Sequence, residues 1–206
     1  MPTIYDLKPK FQNFLEPALT LLVKLKITAN QLTIATLVLS YISTALVYYF
    51  GLFKNIKEII FLIPVTLFIR MALNALDGML ARETNTQSRL GEVLNEVGDI
   101  LADILIYSSL IFVFGKPELM LLITIFKFVF LTMLSEFCGV LAKTTAGTRA
   151  NHGPMGKSDR AFVIGALCFI YYFVPISQQA LEIIFVVLTI LLLVTCFNRL
   201  KQAVRG

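Results

Sequence analysis

Residues 74–99 read NALDGMLARETNTQSRLGEVLNEVGD, and the spacing of their amides, carboxylates and small residues decides how the rest of the chain is read. On a helix turning about 100° per residue, Asn74, Asp77, Gly78 and Ala81 fall within an arc of roughly 100°, which is one face. Further on, Gly91, Asn95 and Asp99 recur at four-residue steps, again on one face. The run between them, rich in Thr, Asn, Gln and Ser, marks a turn. The spacing therefore predicts two antiparallel neighbouring helices that bring two carboxylates and two carboxamides together at one end.

On both sides of this stretch the chain is apolar. Hydrophobic residues make up 57% of the 206 and charged residues 15%, whereas a soluble domain is about 45–50% apolar. Runs long enough to cross about 30 Å of hydrocarbon lie near 30–51, 57–81, 92–114, 117–142, 160–175 and 178–198. The fifth is short enough to sit tilted or partly interfacial. The fold class expected is an all-α integral membrane protein of about six transmembrane helices.

Ahead of the first span, Phe11, Leu15, Ala18 and Leu22 recur at helical spacing beside Lys8, Lys10, Lys24 and Lys26. That pattern suits an amphipathic helix lying in the membrane interface. Thr28 or Asn30 in ITANQLT is placed to cap the first span. Residues 1–28 carry Lys, Asp and Glu among scattered apolar positions, so no leader is expected to be removed. With no repeat, low-complexity tract or linker, the chain reads as a single membrane domain over 1–206. Residues 1–28 form its interfacial helix and 29–206 its six-helix bundle.

Lys and Arg set the orientation. With the N-terminus cytoplasmic, Lys8, Lys10, Lys24, Lys26, Arg82, Arg89, Lys143, Arg149, Lys157, Arg160, Arg199, Lys201 and Arg205 lie inside, and Lys54, Lys57 and Lys116 outside. Both termini and the 74–99 cluster are then cytoplasmic. The net charge of +5 suits anionic lipid headgroups, and no nucleic-acid motif accompanies it. Cys138, Cys168 and Cys196 sit singly in apolar runs and read as small core residues.

An Asp inside a membrane helix costs about 2.5–3.5 kcal/mol on the insertion scale, so it faces a cavity, an ion or a partner charge. A cluster of carboxylate and carboxamide oxygens suits a hard divalent cation, Mg²⁺ or Mn²⁺. Gly78, Ala81 and Gly91 clear space on the same faces for a ligand to approach the backbone. Small and polar residues on helix faces also serve helix packing, and that reading stands beside the chemical one.

The whole spacing resembles the signature of the CDP-alcohol phosphatidyltransferases, D-x2-D-G-x2-A-R-x8-G-x3-D-x3-D. The matching positions are Asn74, Asp77, Gly78, Ala81, Arg82, Gly91, Asn95 and Asp99, with Asn in place of the first and third Asp. What the resemblance implies is transfer of a phosphatidyl group from CDP-diacylglycerol to an alcohol, with release of CMP, in phospholipid biosynthesis. The reaction would depend on Mg²⁺ or Mn²⁺ at the cytoplasmic face of a bacterial inner membrane. By resemblance, Asp77, Asp99, Asn74 and Asn95 would surround metal. Asp77, Gly78, Ala81, Arg82 and Gly91 would shape the nucleotide site, and Asp99 would be metal ligand or general base. The partners expected are CDP-diacylglycerol, an alcohol acceptor and membrane lipids, and a homodimer is compatible with this class.

Asn keeps an oxygen donor but carries no charge and cannot act as a base, so Asn74 and Asn95 should weaken metal binding. A catalytically silent CDP-lipid binder is the alternative. A small transporter is a further one, although neither inverted repeats nor broken mid-membrane helices are visible.

Two other clusters stand out. The loop AGTRANHGPMGKSDR, 146–160, gathers Arg149, His152, Lys157 and Arg160. Arg149, Lys157 and Arg160 suit capture of a phosphorylated acceptor such as glycerol 3-phosphate or inositol phosphate; plain positive-inside charge is the competing reading. His152, in a solvated loop, is not expected to be catalytic. Within the spans, Arg70 lies roughly 18 Å along its helix from residue 82 and Asp103 roughly 18 Å from Gly91. The two should therefore meet as a structural ion pair, with proton relay the less favoured use of these intramembrane charges, among which Lys127 and Glu136 also count.

Overall fold

The computed structural model of the chain describes residues 8–54, 56–114, 117–174 and 176–205; Lys116 lies outside the described residues. Every described element is helical: α1 Lys8–Lys24, α2 Ala29–Tyr49, α3 Leu62–Glu83, α4 Arg89–Val113, α5 Leu119–Ala146, α6 Lys157–Phe173 and α7 Gln178–Arg205. A π-helical turn, Phe50–Lys54, extends α2, and a 3-10 turn, Lys57–Phe61, leads into α3.

Among the described residues, four stretches are long and apolar enough to cross a membrane: Ala29–Lys54, Lys57–Glu83, Leu119–Ala146 and Gln178–Arg205. The six runs read from the sequence each correspond to one helix from α2 to α7, but α4 and α6 fall outside this set. α4 carries Glu92, Glu96, Asp99 and Asp103 within its first 15 residues, and α6 has 17 residues.

Local chemistry sets the boundaries around the motif. Thr28 caps α2 through a reciprocal box in which its hydroxyl accepts from the Gln31 backbone N–H and the Gln31 side chain accepts from the Thr28 N–H. Ser88 caps α4 by accepting from Gly91 N–H at 3.0 Å. Between α3 and α4 the chain reverses through Thr84–Ser88, with Asn85 in the left-handed region at φ 53°, a conformation that Asn tolerates better than most residues. This short reversal holds the two motif faces in register.

The main apolar core runs between α3, α4, α5, α6 and α7. Ile63, Leu110, Ile125, Phe128, Ile164 and Phe185 are buried within it, with Phe128 edge-on to Phe185 and to Tyr107. Burying a side chain of this size contributes roughly 1.5–3 kcal/mol in water; within lipid the gain shifts to close packing and polar pairing. α1 covers a smaller cluster, laying Phe11, Leu15, Ala18, Leu19 and Leu22 over Leu32, Leu76 and Leu80. The face predicted for the N-terminal helix is thus the face that packs on α3, beside Leu32 of α2. The outward faces of α5 and α7 expose Phe126, Phe130, Phe137, Ile183, Ile190 and Phe197, as expected of surface that meets lipid.

α2 adds a buried polar stripe of Thr33, Thr36, Ser40 and Ser43. Ser43 accepts from Thr66 of α3 at 2.8 Å, so small hydroxyls join the two helices at close range. The three cysteines are buried and free.

Candidate active site

The polar helix ends converge at one end of the bundle. The start of α2 meets the end of α3 where Thr33 donates to Asp77 Oδ2 at 3.0 Å. The end of α5 meets the start of α4 through Lys143 and Glu92, and the end of α7 through a 2.9 Å bond from Thr145 to the Ala203 carbonyl. The loop between α5 and α6 meets α4 through Arg149 and Glu96 at 2.8 Å.

Asp99 is buried in the middle of this end. Its Oδ1 accepts from Asn74 Nδ2 at 2.8 Å, its Oδ2 is paired with the Lys157 ammonium, and Arg70 Nη2 stands 3.9 Å from Oδ1. The two motif faces therefore do meet, through Asn74 on α3 and Asp99 on α4, and α6 contributes its first residue to the same carboxylate. Lys157 reaches Asp99 because Gly156 starts α6 beside the end of α4's polar half, with its N–H held by Asp159 at 3.1 Å.

Two cavities flank this pair. One, of about 360 Å³, is lined by Asn74, Asn95, Asp99, Arg149, Lys157 and Arg199, with Phe11 of α1 and Arg70 also in its wall. The other, of about 430 Å³, lies between the start of α2 and the α3–α4 reversal and is lined by Asn30, Thr33, Asp77, Gly78, Ala81, Gly91 and Asn95. The motif thus divides between two cavities, and Asn95 belongs to both.

Gly91 sits where a methyl group would come within 2.7 Å of Asn30 Oδ1 and 3.2 Å of Ser88 Oγ. Its lack of a side chain lets the starts of α2 and α4 approach each other. Arg82 is exposed at the end of α3 and lines neither cavity; its Nη1 lies 3.5 Å from the place a Cβ on Gly78 would take. His152 is exposed in its loop and likewise lines neither.

Of the three basic residues expected to hold an acceptor, Arg149 and Lys157 line the 360 Å³ cavity. Arg160 does not. It is fully buried behind the cavity, bonded to Asp103 at 3.0 Å, Glu136 at 2.7 Å, Ser135 Oγ at 3.2 Å and the Met155 carbonyl at 3.1 Å. From there it can position its neighbours but has no open path to a ligand.

Arg160 belongs to a network that the sequence shows only in part. The expected Arg70–Asp103 pair forms at 2.9 Å, and Arg160 takes the other oxygen of Asp103. Glu136 pairs with Arg149, Arg160 and Arg199 at 2.8, 2.7 and 3.3 Å. The burial of Arg70, Asp103 and Glu136 in apolar runs marks them in the sequence as residues needing partners. Arg199 and Glu96 read there as ordinary helix-end charges, and Thr33 carries no signal. Lys127, by contrast, is exposed on the outer face of α5 between Phe126 and Phe130.

Among the described residues no three of His, Cys, Asp and Glu converge as a metal-binding group. A divalent ion here would be held by two carboxylates, Asp77 and Asp99, with amide oxygens completing the set. The donor chemistry fits a hard cation, and one donor is free for it: Asn95 Oδ1 is buried with no hydrogen-bond partner. The opposite also occurs in the 360 Å³ cavity, where Arg70 Nε and Nη2, Arg149 Nε and Arg199 Nε are buried without an acceptor.

Comparison with known proteins follows the same lines. The CDP-alcohol phosphatidyltransferase family profile matches residues 26–195. The inner membrane protein YnbA of Escherichia coli (strain K12) is 44% identical over 201 residues, spanning 97% of this chain and 96% of that protein. The fold is shared with the phosphatidylinositol phosphate synthase PgsA1 of Mycobacterium tuberculosis. Its complex with manganese and citrate superposes with a TM-score of 0.74 at 19% identity, covering 91% of this chain and 87% of that one. Its structure with CDP-DAG bound gives a TM-score of 0.74 at 19% identity, covering 91% and 92%.

Proposed function

The chain belongs to the CDP-alcohol phosphatidyltransferase family, and from that premise we propose that it transfers the phosphatidyl group of CDP-diacylglycerol to a phosphorylated polyol at the polar end of the bundle. The observation that carries this reading is the meeting of Asn74, Asp99 and Lys157 in the wall of a cavity also lined by arginines.

In the reaction the acceptor hydroxyl attacks the phosphatidyl phosphorus, the pyrophosphate P–O bond to CMP breaks, and the hydroxyl proton passes to a base. Asp99 is the base in this reading. Asn74 fixes its carboxylate by donating to Oδ1, and Lys157 stands beside Oδ2 where it can also donate to a substrate phosphate. The CDP moiety belongs to the 430 Å³ cavity, where Gly78, Ala81 and Gly91 keep the walls low and Asp77 is held by Thr33. Arg82, exposed with its Nη1 beside Gly78, stands next to that cavity for a nucleotide phosphate. A bound Mg²⁺ or Mn²⁺ supplies positive charge to the pyrophosphate oxygens, and Asp77, Asp99, Asn74 and Asn95 would hold it.

Support for a phosphorylated acceptor comes from the cationic side chains of Arg149 and Lys157, which line the 360 Å³ cavity with Arg70 and Arg199. A phosphate has the acceptors to satisfy them. Glycerol 3-phosphate and inositol phosphate fit that description. Arg160 holds Asp103 and Glu136 and so keeps Arg70, Arg149 and Arg199 in place. The reading includes six spans with both termini and the site cytoplasmic, supported by the gathering of basic helix ends at one end of the bundle.

A silent CDP-lipid binder remains the second reading because two of the motif's four acidic positions are Asn. Incubating the purified protein with CDP-diacylglycerol, Mn²⁺ and a panel of alcohols, with CMP and the lipid product identified by mass spectrometry, separates the two. CMP release that requires a phosphorylated polyol is the expected outcome; no CMP with any acceptor would falsify the enzymatic reading.

A further inference from the structure

We infer that this chain binds a single divalent cation, and that the ammonium group of Lys157 supplies the second positive charge at the site. The inference rests on the proposed metal-dependent function and concerns how this sequence has adapted to it. With Asn at 74 and 95, the motif faces carry two negative charges, Asp77 and Asp99. Asp99 is already engaged on both oxygens, by Lys157 and by Asn74, and Arg70 stands 3.9 Å from the same carboxylate. Two full cationic charges on the protein therefore face the α4 carboxylate.

The other side of the motif differs. Asp77 has one oxygen bonded to Thr33, and Asn95 presents a buried Oδ1 that receives no donor. Both line the 430 Å³ cavity. Of the four residues that would hold a cation, Asp77 and Asn95 therefore offer the stronger grip, since ammonium and guanidinium groups stand against Asp99. Neutral Asn at 74 fits the same arrangement, since its NH₂ group donates to Asp99, which an Asp there could not do except when protonated. Asn74, Asn95 and Lys157 thus act as one set: two charges removed and one cation brought in.

The test is manganese stoichiometry on the full chain in detergent micelles, read by Mn²⁺ electron paramagnetic resonance and by elemental analysis of the isolated protein. The wild type is expected to bind one ion per chain, with or without CDP-diacylglycerol. Combining Asn74→Asp, Asn95→Asp and Lys157→Met restores the acidic set and removes the internal cation, and should raise the count to two. Lys157→Met alone should tighten the single ion by about threefold or more, because a nearby unit charge is removed. Two ions on the wild type, or one on a folded triple variant, overturns the inference. An unchanged or weaker affinity in Lys157→Met overturns it as well, and the wild-type count decides the matter if either variant does not fold. CMP release is measured on the same samples. Two ions with CMP release discards only the one-cation site, whereas no ion and no CMP release discards the proposed function with it.

Discussion

Asp99 is the residue on which the proposed chemistry turns, since it is the one carboxylate on the α4 motif face and both its oxygens are held in place. Asp99→Asn is expected to lower CMP release by at least about 10²-fold, as loss of a general base does. Its circular dichroism and detergent-solubilised elution should be unchanged, and wild-type turnover in that variant would remove Asp99 from the mechanism. Arg149→Ala should raise the acceptor KM with little effect on that for CDP-diacylglycerol. A desolvated charge-assisted bond is worth about 1.5–3 kcal/mol, so a shift below about twofold would assign Arg149 to structure alone. Arg160 plays a different part. Arg160→Met leaves Asp103 and Glu136 without their shared cation, and removal of one partner from a buried pair destabilises by about 3–5 kcal/mol. Thermal unfolding in detergent should show it as a large drop in Tm. These roles were unequally legible in the sequence. The 74–99 spacing singled out Asp77, Asn74, Asn95 and Asp99, which line the two cavities, but the nearness of Arg160 to Arg149 and Lys157 in the chain said nothing of its direction. The first turn of α6 points Lys157 toward the cavity and Arg160 away from it.

At the scale of the helices, the periodicity of apolar residues located α1 through α7, and ITANQLT narrowed the first cap to Thr28 or Asn30, of which the structure uses Thr28. The reason is physical: an amphipathic face or an apolar run records which side of a helix is buried, and a cap records where it begins. Close approach between helices leaves a weaker trace. Gly91 suits a ligand-binding motif, yet in the structure its bare backbone also admits Asn30 of α2 to within 2.7 Å of where a Cβ would stand. Gly91→Ala should therefore perturb the α2–α4 contact as well as substrate binding. The expected result is a lowered Tm together with weaker CDP-diacylglycerol binding; a normal Tm with weaker binding would confine Gly91 to the ligand. The Thr28→Ala change removes half of a capping box and should cost about 1 kcal/mol, measured as a few degrees in the same unfolding assay.

Across the whole molecule, the basic helix ends and the motif occupy one end of the bundle, and the outer faces of α5 and α7 are apolar. A C-terminal fluorescent reporter that is bright only in the cytoplasm should fluoresce if both termini face inward, whereas a dark reporter with a bright N-terminal counterpart would reverse that topology. The sequence showed this polarity through the bias of Lys and Arg, because charge asymmetry survives without knowledge of packing. What it did not show is how distant charges pair, since Glu136 and Arg199 are 63 residues apart and nothing in either local pattern points to the other. That pairing bears on which sequences can replace this one. Glu136 is answered by arginines from a loop and two different helices, so losing it takes a carboxylate from three cations at once and leaves Arg199 with no other, while Arg149 keeps Glu96 and Arg160 keeps Asp103. Drift in such a unit is lopsided: Arg199, at the edge of the network, can be exchanged alone, whereas Arg160 and Glu136, each tied to more than one partner, change only together with others. Arg199→Gln should consequently be tolerated better than Glu136→Gln, and Arg199→Gln placed on top of Glu136→Gln should restore part of the stability that the glutamate change removed.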